Sequence, residues 1–468
     1  MPNIKDINDS INRCFLRLEP QEAKKLFQDA DDLSRQRDLV IYNEKNEARL
    51  ISTAARPWVA SLEQARFFHG ICLELKEALG KLLAIYWESD AAKKIIPLSE
   101  KEKNWFHLAR KRGFLSPQTI FERLDANVTF DGPNWKENFR FLETNSVGVG
   151  GIHYIPAACE INKEIFLPML RKKIKNATFL MQPDIQDLLL DTILAHAKAI
   201  GRPRPSIVFI EDQSGPPGGT CEYEFVAAHF KEKGIKAYLA DPRELYLKGD
   251  EIYFKDERVD ILYRDCEIDE LVQIEHSEKI PLPALKHAFV RNQVVSSFAG
   301  EFDHKSALEI FTDARFKKYF SAAQHAVFKK YIPWTRLIWE RKTLGPKQRV
   351  VDLIKYIRKN KNTLVMKPNR EYGGKDVTLG RFVSNAAWDK MLKRALKNPH
   401  SVVAQQLLRT PKELFPVFEK NKVKLEDFFT VSAFVVTKRK IAFLCRYSKE
   451  RVVNVSRKGG LIPVHMVS

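Results

Sequence analysis

The residues best suited to do chemistry lie in the run LVMKPNREYGGK, residues 364–375. A strand-like apolar run there ends on Lys367, and an ammonium at the end of a buried strand needs an anion to offset its lost hydration. A few residues on, Gly373, Gly374 and Lys375 offer backbone amides and a second ammonium that can meet phosphate oxygens with no Cβ in the way. The bland alternative is a lysine snorkelling from a strand end beside an ordinary hairpin. A second constellation lies far upstream. Two strand-like runs, RLDANVTF and NFRFLETN, flank the turn formers Asp131, Gly132, Pro133 and Asn134. A hairpin centred there sets Asp125 opposite Glu143 on one face. Opposed carboxylates repel unless positive charge lies between them. The bland alternative is that both are exposed, on opposite faces.

Other chemistry finds little support. The glycine-rich loops at 148–151 and 215–219 match neither a P-loop nor a dinucleotide fingerprint. The cysteines, Cys14, Cys72, Cys159, Cys221, Cys266 and Cys445, form no Cys-x-x-Cys pair, so reduced and mostly buried thiols are expected. Charge is placed unevenly: residues 301–468 hold 36 Lys+Arg against 14 Asp+Glu, a net of +22, and residues 1–300 hold 42 against 45. An anion handled by this protein should therefore meet the last third of the chain. A nucleotide triphosphate, an acidic substrate and nucleic acid all qualify. Nucleic acid is disfavoured, because no known module and no aromatic-basic interleaving accompanies the lysine runs. For an exposed run such as Lys438, Arg439 and Lys440, solubility alone is explanation enough.

The elements that must position these groups follow from periodicity. Residues 5–118 read mainly as helices, with apolar residues at three- and four-residue spacing in SLEQARFFHGICLELKEALGKLLAIYW. The hairpin comes next, then SVGVGG and helices to about residue 195. From Pro205 the order is SIVFIED, a loop, the helix CEYEFVAAHFKEKG and the strand IKAYLAD, then a hairpin around LKGDEIYF and the strand VDILYRD. The last third is rich in hairpins: SVVAQQLL, then FFTVSAFVV and KIAFLCRYS joined by a tight turn from Thr437 to Lys440. The fold class is α+β, with an α/β unit in the middle. A chain of 468 residues holds two to four such units. Without a basic-then-apolar leader or an apolar run of about 20 residues, a cytoplasmic protein with no membrane span is expected.

The order of the motifs resembles the circularly permuted ATP-grasp ligases related to glutathionylspermidine synthase and glutathione synthetase. In that group an Asn precedes a Gly-Gly pair, and a Glu-x-Asn motif follows. Here Asn454 precedes Gly459 and Gly460 close to the C-terminus, and the Glu-x-Asn sequence stands at the other end, as Glu143, Thr144 and Asn145. The resemblance covers about residues 119–468. It implies a helical cap at 1–118, a permuted metal-binding part at 119–195, a pre-ATP-grasp α/β domain at 196–300, and the ATP-binding lobes at 301–468.

The implied activity is ligation of a small-molecule or peptide carboxylate to an amine, using ATP and Mg2+, with an acidic substrate possible. Lys305 and Lys367 are implied on the phosphates, Gly373, Gly374 and Lys375 in the lid, and Gln405, Gln406 and Leu407 along the nucleotide. Asp125, Glu143 and Asn145 are implied as the metal ligands, and Arg446, Arg451 and Asn454 at the reacting end. Two departures stand out. Gln405-Gln406 replaces the usual Gln-Glu, and Asp427 is followed by Phe428-Phe429-Thr430 with no arginine close behind. They leave room for a second reading, a relative without catalysis that binds nucleotide or a protein partner.

Overall fold

The computed structural model describes residues 3–42, 47–110, 113–175, 177–214 and 222–467. The loop at 215–219 and Cys221 lie outside them. The remaining cysteines are free and buried. Among the described residues no helix is long and apolar enough to cross a membrane.

A seven-stranded sheet forms the floor of the molecule. Its spine is the long strand Lys422–Val436, whose N-terminal half pairs with Lys412–Glu419 and whose C-terminal half pairs with Arg123–Asn127. The hairpin expected between RLDANVTF and NFRFLETN is present, with strands Arg123–Asn127 and Arg140–Asn145 and Asp125 paired with Glu143. Its connection carries a short helix, Trp135–Asn138. Ala433 pairs with Asp125 on the other edge, so the hairpin is welded to the C-terminal sheet. The turn from Thr437 to Lys440 closes through a 2.9 Å backbone hydrogen bond.

The middle unit is a four-stranded parallel sheet in which Ile207–Ile210 lies between Ala237–Ala240 and Ile261–Arg264, with Val294–Val295 at one edge. All four residues of Ile207–Ile210 are buried, as a parallel strand covered on both faces requires.

The N-terminal region is less a separate cap than expected. Trp58–Ser61 is a strand paired in parallel with the C-terminal strand Val464–Val467, so the two ends of the chain share a sheet. Ser61 then caps the helix Leu62–Glu88 by a capping box with Gln64, which satisfies amides that the first turn would otherwise leave orphaned. Phe68, Leu75 and Leu82 of that helix are fully buried in the main core, each worth about 1.5–3 kcal/mol of burial.

Residues 334–406 form a lobe with a core of its own, built on Trp334, Ile338, Leu353, Ile357, Trp388 and Leu392. Its antiparallel sheet sets Leu364–Pro368 between Val402–Gln406 and Thr378–Leu379. Strand alternation sends Leu364 and Met366 into that core and leaves Val365 and Lys367 on the face turned to the main body.

Candidate functional site

Between the lobe and the floor lies a cavity of about 690 Å³. The lobe contributes Val365, Lys367, Gly374, Lys375, Leu379, Gln405, Gln406 and Leu407; the floor contributes Asp125, Leu142, Glu143, Val431, Arg446, Arg451, Val453 and Asn454. Lys305 enters from the segment preceding the helix Ala307–Thr312. Leu142, Val365, Leu379, Val431 and Val453 make an apolar slot, and the charged groups gather beside it. That division suits a ligand with a flat apolar end and an anionic end.

Lys367 is the centre of the charged end. Its side chain makes no hydrogen bond or ion pair with any described residue, and burial, then the nearby Lys305, pull its ammonium below the ordinary lysine range against the attraction of Glu143. Lys305 is tied more fully: its Nζ donates to the Glu371 carbonyl at 2.8 Å and stands 3.6 Å from Glu143 Oε2. Burial alone would raise the Glu143 carboxyl, but Lys305 and Lys367 together outweigh it and hold the group below its usual range. An excess of positive charge facing a cavity is what the phosphates of ATP require.

The lid is bent as its glycines suggest. Gly373 and Gly374 both have φ of +70°, and a Cβ on Gly374 would lie 2.6 Å from Val452 Cγ1. Arg457 Nη1 donates to the Gly374 carbonyl at 3.1 Å. The lid thus touches the loop that carries Asn454.

The remaining expected residues are placed as follows. Asp125 is buried beside Glu143, but positive charge is already supplied to it: Arg123 Nε donates to Oδ1 at 2.8 Å and Arg446 to Oδ2. Burial would raise the Asp125 carboxyl, and the two arginines hold it low instead. Each Asp125 oxygen is therefore shared with a guanidinium. Asn145, two residues along the strand from Glu143, is buried and is not among the residues that line the cavity, and its Nδ2 has no partner. Gly373 is not among the lining residues either.

Arg451 is exposed and stacks on Phe382 and Phe429, with its Cζ 4.2 and 5.0 Å from the ring centroids, at the edge of the cleft. The Gln405 amide turns into the protein, to Leu142 O and Thr335 Oγ1, and the Leu407 amide donates to Thr363 O. Asn454 caps the turn Val455–Arg457 through its Oδ1, which accepts from Ser456 N at 2.8 Å.

Two residues were missed. Arg123 braces Asp125, and its spacing of two on one strand was a readable signal. Glu371 lines the cavity, and nothing in its local pattern distinguishes it.

Magnesium binds nucleotide phosphates through one or two protein carboxylates with water completing its shell. Glu143 fits that need. Among the described residues no three His, Cys, Asp or Glu side chains gather into a metal cluster.

No family model and no curated protein matches the sequence. Among solved structures, a glutathione synthetase-like effector from Globodera pallida, in its apo form, superposes over 96% of this chain and 98% of its own with a TM-score of 0.59 at 12% identity. The chain has an ATP-grasp-like fold. A putative γ-glutamylcysteine synthetase from Methylobacillus flagellatus covers 84% of this chain and 87% of its own at 10% identity, with a TM-score of 0.40. A RimK-domain ATP-grasp protein from Sphaerobacter thermophilus covers 51% and 89% at 11% identity, with a TM-score of 0.25. Nothing below rests on these last two.

Proposed function

We propose that this chain is an ATP-dependent carboxylate–amine ligase of the circularly permuted ATP-grasp type, forming an amide through an acyl phosphate. The observation that carries the reading is Lys367, a half-buried ammonium that makes no side-chain hydrogen bond or ion pair with any described residue and faces the cavity beside the Gly373–Gly374 lid. Bound ATP supplies a phosphoryl group that activates a substrate carboxylate. Lys305 and Lys367 neutralise the phosphates, and the lid, with Lys375, closes over them. Gln405, Gln406 and Leu407 border the nucleotide at the strand end. Glu143 holds magnesium, with Asn145 on the same strand face behind it. Asp125, by contrast, positions Arg446 at the reacting end, where Asn454 fixes the neighbouring loop and Arg451 closes the edge. Positioning and charge neutralisation are the main sources of catalysis in such phosphoryl transfer.

The permutation is supported by the hairpin itself. Asp125 and Glu143 join the C-terminal sheet at Ala433, although more than 280 residues separate them in sequence. The surplus of cations lining the cleft favours a substrate with negative charge beyond its reacting carboxylate.

The test is calorimetric titration of ATP into wild type and Lys367→Ala, with labelled ATP turnover followed across a panel of carboxylates and amines. We expect binding in the wild type, its loss in the variant, and phosphate release that depends on an amine. Unchanged affinity in Lys367→Ala would sink the assignment. Binding without any amine-dependent turnover would favour a non-catalytic nucleotide-binding relative.

A further inference from the structure

The lid is anchored at a point that neither of its glycines explains. Between Lys367 and Gly373 the chain runs through Asn369, Arg370, Glu371 and Tyr372. Asn369 is buried and accepts from the backbone amides of Lys305 and Ser306, at 3.1 Å on its carbonyl and 2.9 Å on its Oδ1. Arg370 then reaches away from the cavity. Its Nη1 donates to Glu102 Oε1 at 2.7 Å and its Nη2 to Glu267 Oε2 at 2.9 Å. The Tyr372 hydroxyl donates to the other oxygen of Glu267, while its ring lies 5.5 Å from Lys305 Nζ.

Glu267 thus receives two donors from the lid, one on each oxygen. Its own backbone is fixed as the N-cap of the helix Ile268–Ser277 in the middle unit. Glu102 belongs to the helix Glu100–Arg110 of the N-terminal region and also accepts from Ser99 N at 2.6 Å. Three parts of the chain remote in sequence therefore meet on the lid. Charge-assisted bonds of this kind are roughly twice as strong as neutral ones.

We propose that Glu267 and Glu102 are positioning residues that latch the 369–375 lid over the cleft, so that nucleotide affinity depends on a contact made outside the cavity. The latch acts through Arg370 and Tyr372 on both lid functions at once. It sets the glycine amides against the 452–456 loop, and it holds the Glu371 carbonyl and the Tyr372 ring on Lys305. It also gives the N-terminal helices a part in the site, though they contribute no residue to the cavity lining.

The proposal rests on the cleft binding ATP, and the experiment separates the two claims. Hydrogen exchange of the 369–376 peptide is measured in wild type, Glu267→Ala and Tyr372→Phe, with ATP affinity by calorimetry in parallel. Tyr372→Phe removes only a hydroxyl from a partly exposed residue, so folding is not at stake. Loss of a charge-assisted bond should speed exchange in this peptide by about tenfold or more in Glu267→Ala, with a smaller rise in Tyr372→Phe and unchanged exchange in the Ile207–Ile210 strand. ATP dissociation constants should rise in the same order. Unchanged exchange at 369–376 in both variants overturns the latch whatever ATP does. Faster exchange with unaltered ATP affinity overturns its role in binding. Failure of wild type to bind ATP counts against the ligase reading, and the exchange data still judge the latch.

Discussion

Arg264 and Lys367 are both cations on the ends of buried strands, and the protein treats them in opposite ways. Arg264 forms an ion pair with Glu301 and donates to the carbonyls of Ser296, Cys266 and Ser297 at 2.7, 3.0 and 3.2 Å. Lys367 has no such partner, and its nearest opposite charge, Glu143, is shared with Lys305. A fully satisfied buried charge is held by the protein for itself. One left unsatisfied beside a cavity is held for a ligand, because burial without a partner costs free energy that the apo-protein does not recover.

The sharpest way to break the comparison is to remove each cation in turn. Arg264→Met leaves Glu301 buried and unpaired, and should cost about 3–5 kcal/mol in chemical denaturation. Lys367→Ala strands no fully dependent partner, so the apo-protein should lose less than about 1 kcal/mol or become more stable. If the two variants proved equally destabilised, Lys367 would be a structural cation and the reading of the cavity would fall. The sign with pH follows from the same burial. The folded-state value of Lys367 is below the ordinary one, so the unfolded chain holds more protons in the window between them. Wild-type stability should therefore gain with pH through that window, and Lys367→Ala should lack the gain.

A smaller effect sharpens the contrast from the acidic side. Asp303 is buried between the two regions and accepts from Ser146 N at 2.6 Å; burial first, then Glu267, pushes its carboxyl up to about 8. The folded state then binds the proton more tightly than the unfolded chain. This stabilisation is complete below the unfolded value near 3.8 and is lost as pH rises toward 8. Asp303→Asn mimics the protonated form while keeping an acceptor for Ser146. It should flatten the decline of stability between pH 5 and pH 8 by at least ~1 kcal/mol in thermal melts. An unaltered slope would show that Asp303 is ionised and that the paired network extends further than Arg264 and Arg370.

Legibility differed by element. The strand Leu364–Pro368, its lysine and the bent glycines after it were readable, because alternation and left-handed backbone are local properties. The hairpin itself was readable too, but a β-bulge between Asp125 and Ala126, which no turn residue announces, sets Asp125 opposite Glu143. The N-terminal strand Trp58–Ser61 was hidden inside a helical pattern, since a four-residue run carries too little period to separate from a helix turn. Arg451 was expected at the reacting end from the family resemblance, and motif order does not say which aromatic ring a guanidinium will stack on.

The sequence by itself determined the local chemistry: a strand-end lysine, a flexible glycine pair, a carboxylate hairpin, and a basic last third. Only the tertiary structure decided who neutralises whom. Arg446 meets Asp125 across 321 residues and Arg370 meets Glu102 across 268. Periodicity tells which face a side chain takes, whereas the charge opposite that face is set by packing between segments with no short-range relation. That is why Lys367 could be recognised as a strand-end cation from its sequence, and why its lack of a side-chain partner could be seen only in the tertiary structure.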